Sequence, residues 1–262
     1  MQEVSGNLYD YPAYYDLVFG SDWKAEYDFL LQVFEQFGGK VERVFEPACG
    51  TGRILYRLAD KGFEVSGLDL NPNAVEFCNK RLVKHGYPAS IICGDMSDFK
   101  LPKKVDVAFN MINSFRHLLS EKQAEGHLRC VAESLRPGGL YVLGLHLTPT
   151  AGVPMTEESW SARRGNLAIN THLQTLDLDR RKRTERCRMK LDIYTPTERK
   201  QILDELVFRT YTADQIEKLL ASVTQFEIAE LFDFSYRLDR PIEIEPETQD
   251  VVFILRKRRA GK

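Results

Sequence analysis

The segment Glu46-Pro47-Ala48-Cys49-Gly50-Thr51-Gly52-Arg53 (E-P-A-C-G-T-G-R, 46–53) follows a short apolar run, E-R-V-F-E at 42–46, and precedes a helical pattern near 52–61. A strand that turns through glycines into a helix lets the backbone approach a ligand closely. The helix amino terminus behind the turn favours a carboxylate or phosphate. Two glycines alone are a weak signal. In the dinucleotide fingerprint G-x-G-x-x-G/A the last position must be small, yet here it is Leu55, which argues against a nicotinamide dehydrogenase.

Working outward, apolar runs alternate with helical patterns from about residue 41 to 147, as expected for a parallel sheet covered on both faces. The pattern predicts strands at 42–46, 63–69, 89–93, 105–111 and 139–147, with helices near 52–61, 73–85 and 120–135. The last helix is expected to end at R-P-G-G, where Pro137 cannot continue it and Gly138–Gly139 supply a turn. Chemistry-bearing residues recur at successive strand ends. Asp69 closes G-L-D-L-N-P at 67–72, 17 residues after Gly52. A carboxylate there can accept both ribose hydroxyls of a nucleoside lying across the strand ends. G-D-M-S-D-F at 94–99 offers Asp95 to an adenine amino group and Met96 to cover the ring. The fourth strand ends in F-N-M-I-N-S-F-R-H-L at 109–118, which contains Asn110 and His117.

With these elements in this order, residues 40–148 resemble the class I S-adenosylmethionine-dependent methyltransferases, whose pattern is E/D-x-G/A-x-G-x-G, a strand-terminal acid, a G-D-x-x-D segment and a loop after strand four. The resemblance implies an α/β fold: a Rossmann-like seven-stranded methyltransferase sheet with helices on both faces, carrying S-adenosyl-L-methionine. It places Ala48, Gly50 and Gly52 beside the methionine moiety, Asp69 and Leu70 at the ribose, and Asp95 with Met96 at the adenine. Glu46 would orient the loop or the cofactor's amino group; Arg53 and Asn110 complete the cofactor set. The flanking segments Y-P-A-Y-Y-D-L-V-F (11–19), M-I-N-S-F-R-H-L (111–118) and R-T-Y-T-A-D-Q-I (209–216) are similar to a narrower group of small-molecule N- or O-methyltransferases. Amino-sugar N,N-dimethyltransferases and glycine-type N-methyltransferases belong to that group.

Residues 1–37, rich in aromatics, read as a helical lid whose helical spacing is strongest after Asp22; Tyr14 and Tyr15 are the candidates for closing over the cofactor. Residues 150–211 read as an antiparallel β insertion around the turn D-L-D-R-R-K-R, serving as a substrate cover or dimer contact. The core then comprises 38–149 and 212–258, its last part holding a capped helix at 212–220 and strands at 225–232 and 250–255.

A sulfonium methyl is already activated, so catalysis rests on holding a nucleophile in line and excluding water. An ammonium acceptor must first lose a proton, and His117 and His146 lie where one could be taken; Tyr15 is the third catalytic candidate. Arg116 is a candidate for an acidic substrate group or for a surface role. No N-P-P-Y tetrapeptide follows strand four and no Pro-Cys pair is present. These absences favour a small nitrogen or oxygen nucleophile over a nucleobase. The alternatives are a methyltransferase acting on RNA or protein and a non-catalytic protein that binds the cofactor.

Composition sets the remaining bounds. In 262 residues, 36 basic and 38 acidic side chains nearly cancel to a formal charge of −2, which gives nucleic acid no claim as an obligatory partner. Local charge is uneven: residues 180–190 hold seven basic groups against one acid, and 256–262 hold five against none. Five cysteines without a C-x-x-C pair argue against a zinc site or disulfide framework and for a reducing, cytoplasmic setting. The amino terminus lacks a basic region followed by an apolar run, and no stretch approaches the roughly 18 apolar residues of a membrane span, so neither export nor membrane insertion is expected.

Overall fold

The computed structural model describes residues 2–259. The elements, in chain order, are β1 (Gln2–Ser5), α1 (Pro12–Gly20), α2 (Lys24–Phe37), β2 (Arg43–Pro47), α3 (Leu55–Asp60), β3 (Glu64–Asp69), α4 (Pro72–Lys84), β4 (Ile91–Cys93) and β5 (Val105–Asn110). They continue with α5 (Glu121–Ser134), β6 (Leu135–His146), β7 (Glu157–Arg164), β8 (Leu167–Asp179), β9 (Thr184–Tyr194), β10 (Arg199–Arg209), α6 (Ala213–Ser222), β11 (Phe226–Phe232) and β12 (Asp250–Lys257).

Seven strands form one sheet in the order β11-β12-β6-β5-β2-β3-β4. β4, β3, β2, β5 and β6 run parallel, while β12 is antiparallel to both β6 and β11. All six residues of β5 are buried, as a central parallel strand covered on both faces requires. Strand order reverses between β2 and β5, and the carboxyl ends at that reversal form the crevice of an open α/β sheet. Asn110 Nδ2 donates to the Pro47 carbonyl at 2.7 Å across this split.

Three helix starts have a local cause. Asn71 caps α4 with Pro72 behind it; Ser120 with Gln123, and Thr212 with Gln215, form capping boxes at the starts of α5 and α6. On α2, Phe29, Leu30, Val33 and Phe34 make an apolar stripe that packs against one face of the sheet, whereas α5 and α6 cover the other.

β7 to β10 form an antiparallel meander laid over the carboxyl ends. Cys187, Met189, Leu191 and Ile193 alternate inward along β9 and share a core with Leu8, Leu17 and Val18 from the leader. One feature corrects the expectation of a purely antiparallel insertion: β1 runs parallel to β10 and extends the second sheet to five strands, β1-β10-β9-β8-β7. A four-residue segment at a chain end carries too short a pattern to be read as a strand; its pairing depends on a free edge formed 200 residues later.

Other boundaries shift. α3 covers only Leu55–Asp60 because residues 49–54 are spent on the glycine turn. Arg136-Pro137-Gly138-Gly139 is not a separate turn: β6 starts at Leu135, and the extra residues form a bulge where Val105 pairs with Leu135 and Val107 with Leu140.

Candidate active site

The loop 48–52 is the floor of the site. Gly50 and Gly52 take φ of +54° and +64°, which glycine adopts without a Cβ penalty. A β-carbon on Gly52 would collide with Cys78 Sγ. At Gly50 it would meet the Tyr15 ring at 3.3 Å, so Tyr15 lies directly over the loop. Ala48 is also left-handed at φ +53°. Asp69, at the end of β3, fixes this loop to the next strand end: its Oδ2 accepts from Gly50 N at 2.7 Å and its Oδ1 from Asn71 N at 2.9 Å. Burial raises its pKa, opposed by those backbone donors.

A cavity of about 1310 Å³ opens above this floor, between the strand ends and the inner face of the second sheet. Pockets for one drug-sized ligand run to roughly 300–1,000 Å³; this one has room for a nucleoside and a second molecule beside it. Of the residues singled out from sequence, Tyr15, Ala48, Gly50, Asp69, Leu70, Asp95, Met96, His117 and His146 line it.

Five do not, and four of these are committed elsewhere. Tyr14 stacks on Tyr11 and packs into the insertion core. Gly52 backs onto Cys78, and Asn110 ties β5 to β2. Arg53 is not a cavity group: it is buried in an ion pair with Glu26. Glu46 lies buried beneath the loop, and burial pushes its pKa well up. Glu46 Oε2 and Glu26 Oε1 are buried without a hydrogen-bond partner, and a desolvated carboxylate oxygen of this kind calls for a donor.

The two histidines differ. His117 Nε2 and the Tyr9 hydroxyl share a hydrogen bond of 2.9 Å; burial, with Arg116 adjacent, lowers its pKa to about 4, so the ring is neutral and Nε2 is already in use. His146, at the end of β6, pairs through Nδ1 with Asp250 at the start of β12. An Nδ1–H held by a carboxylate leaves Nε2 as the free basic nitrogen. Arg116 is buried, its guanidinium paired with Glu185 and its Nε donating to the Arg209 carbonyl, so it serves neither of the roles expected of it.

Sequence reasoning missed three groups. Asp250 and Tyr9 have no motif around them and act only through partners over 100 residues away. Asp16, 2% exposed on α1, accepts from Thr51 Oγ1 (3.1 Å), Arg81 (2.7 Å) and Arg164 (3.0 Å), tying leader, glycine loop, α4 and insertion at one point. An aspartate amid aromatics in an otherwise apolar helix was the available signal. His127 is a fourth buried polar group of note: its Nδ1–H donates to the Met96 carbonyl at 2.9 Å, and its Nε2 accepts from Tyr141 at 2.6 Å, holding the 95–99 segment against α5.

The basic hairpin is largely neutralised within the fold. Arg183 pairs with Glu121, Arg186 and Arg188 with Glu205, and Lys182 with Asp179. Among the described residues no helix is long and apolar enough to cross a membrane.

This strand order, with a glycine turn after β2 and an acid ending β3, is an open α/β sheet with its ligand crevice at the β2/β5 reversal. Residues 44–139 match the family model described as a methyltransferase domain. Among curated relatives it is 28% identical over 137 residues to a dTDP-3-amino-3,4,6-trideoxy-alpha-D-glucopyranose N,N-dimethyltransferase of Streptomyces venezuelae, covering 51% of this chain and 56% of that one. It is 28% identical over 184 residues to a dTDP-3-amino-3,6-dideoxy-alpha-D-glucopyranose N,N-dimethyltransferase of Streptomyces fradiae, covering 63% and 71%. The chain spans about half the length of most of the curated relatives it matches. Among solved structures, an S-adenosylmethionine-dependent methyltransferase from Clostridium acetobutylicum superposes with a TM-score of 0.76 at 18% identity, covering 96% of this chain and all of the other; this shows the shared fold.

Proposed function

We propose that this protein is an S-adenosyl-L-methionine-dependent methyltransferase that methylates a nitrogen of a small molecule. The observation that carries the reading is a single covered cavity that joins the nucleoside-binding strand ends, Gly50, Asp69 and Met96, to a histidine–aspartate pair, His146 with Asp250.

The residues fit the cofactor. The unpartnered oxygen of Glu26, which lines the cavity, suits the ammonium of its methionine part, Asp69 has lone pairs left for ribose hydroxyls, and Asp95 with Met96 borders the adenine position. When bound, it supplies a methyl group already activated on a sulfonium. The chain's part is to orient the acceptor and to exclude water, with the aromatic leader serving as the lid and the meander as the cover. A protonated amine must be neutralised before it attacks, and His146 Nε2 takes that proton while Asp250 stabilises the imidazolium formed. His117, held neutral by burial and bonded to Tyr9, positions the acceptor. Oxygen transfer is the less favoured form because an unactivated hydroxyl needs a stronger base than this pair. A small acceptor is favoured over RNA because the hairpin arginines are already paired within the fold. The scattered cysteines fit a reducing cytoplasmic setting, and the open β7 edge of the second sheet offers a contact for a second copy.

Calorimetric titration with S-adenosylmethionine and, separately, NAD tests the cofactor reading, with Asp69→Ala alongside. Saturable binding of the first alone, weakened at least about tenfold in the variant, is expected from loss of charge-assisted hydrogen bonds. A folded sample that binds NAD and not S-adenosylmethionine would overturn it.

A further inference from the structure

The half of the cavity facing the second sheet is lined by Glu158, Glu185, Asp204 and Asp250, and among the described residues by one guanidinium and no lysine; the carboxylate of Glu205 lies on the outer face of the sheet, paired with Arg186 and Arg188. That guanidinium, Arg116, is spent on Glu185 and the Arg209 carbonyl. Both histidines in the cavity fail to supply a free cation: His117 is held neutral, and His146 faces Asp250. Glu158 and Asp204 have no ion-pair partner among the described residues, and Asp204 accepts from the Leu8 backbone at 2.8 Å. Trp160 and Phe234 also line this cavity, and an aromatic face attracts cations through the ring quadrupole; the Phe208 ring is already faced by Arg116.

On the reading that this is the acceptor's place, we propose that the acceptor is an amine on a phosphate-free body, bound in its cationic form, and not a sugar joined to a nucleoside diphosphate. A diphosphate needs guanidinium or ammonium donors, or a helix amino terminus, to replace its water. This wall offers carboxylates instead, which repel a diphosphate and draw an ammonium in. The relatives named for dTDP-linked amino sugars share the amine and differ in the handle. Substrate choice would therefore be set by the charge of the second sheet, while the strand ends that hold the cofactor keep the common pattern. The reaction balances simply: the amine nitrogen gains the methyl, the carbon–sulfur bond breaks toward sulfur, and the amine's proton leaves to His146.

The test is calorimetric titration of the protein, with and without saturating S-adenosylhomocysteine, using two probes: the methyl glycoside of a 3-amino sugar and the same sugar linked to thymidine diphosphate. The phosphate-free amine is expected to bind at least about tenfold more tightly, with an affinity that falls as salt rises. A Glu158→Gln variant changes an exposed strand residue; it should lose about fivefold or more of the amine affinity and keep that for S-adenosylhomocysteine. Equal or tighter binding of the diphosphate-linked sugar, no binding of the free amine, or an unmoved amine affinity in the variant would each overturn the proposal. Failure of S-adenosylhomocysteine to bind would strike the methyltransferase reading instead, and the titration without it still ranks the two probes.

Discussion

Replacing Asp16 with alanine should unfasten the leader from everything it covers. The carboxylate is 2% exposed and holds Arg81 at 2.7 Å, Arg164 at 3.0 Å and the Thr51 hydroxyl at 3.1 Å. Removing one partner of a buried ion pair costs about 3–5 kcal/mol, because the other charge is left without compensation. The two arginines differ in that respect. The Arg164 side chain is 60% exposed and regains water, so its share lies in the range of about 0–1 kcal/mol for surface pairs. Arg81, at 16%, is mostly shielded and keeps some access to solvent, which points to the lower end of the buried range. A loss of about 3 kcal/mol follows, and at about 2–4 °C per kcal/mol for a chain of this size the melting temperature should fall by roughly 6–12 °C. Thermal unfolding followed by circular dichroism measures this, with Arg164→Ala as a control expected to cost under about 1 kcal/mol. Because Thr51 sits between Gly50 and Gly52, S-adenosylmethionine affinity should fall in Asp16→Ala as well. A melting temperature within about 2 °C of the parent, or a control variant as damaged as Asp16→Ala, would refute the claim that this carboxylate is where leader, loop and insertion are joined.

His146→Asn should lower kcat by about 100-fold or more near neutral pH, the lower end for a general base, and the deficit should shrink at pH values where the amine is already deprotonated; a deficit constant with pH would remove the proton-acceptor role. His127 is buried with its pKa lowered to about 4 from 6.5. The unfolded chain therefore binds a proton that the folded chain refuses, so stability is complete above pH 6.5 and falls as the pH drops toward 4, by ~3 kcal/mol. Denaturant titrations at pH 7 and 4.5 should show a smaller acid loss in His127→Gln; an identical loss in both proteins would assign the sensitivity to other groups. Gly52→Ala should abolish S-adenosylmethionine binding through its clash with Cys78 and its left-handed φ. Cys78→Ala in the same chain should recover part of the stability, and no recovery would mean that φ strain alone is at fault.

The amino-acid sequence by itself determined the sheet and its cofactor end. Apolar runs with turn chemistry between them specify strands and helices locally, and a glycine turn followed by a strand-terminal acid brings Gly50 and Asp69 together, because β2 and β3 are adjacent parallel strands. Local periodicity also marked the meander, since Cys187, Met189, Leu191 and Ile193 alternate in the sequence as they do in space. What only the tertiary structure decided is which polar groups face one another across elements distant in the chain. Asp250 meets His146, Tyr9 meets His117, Arg53 turns inward to Glu26, and β1 finds the edge of β10. No spacing encodes these pairings: Arg53 and Glu26 lose water together on burial, the others meet where strand ends and a sheet edge come side by side, and which groups are left together is known only once the layers have packed.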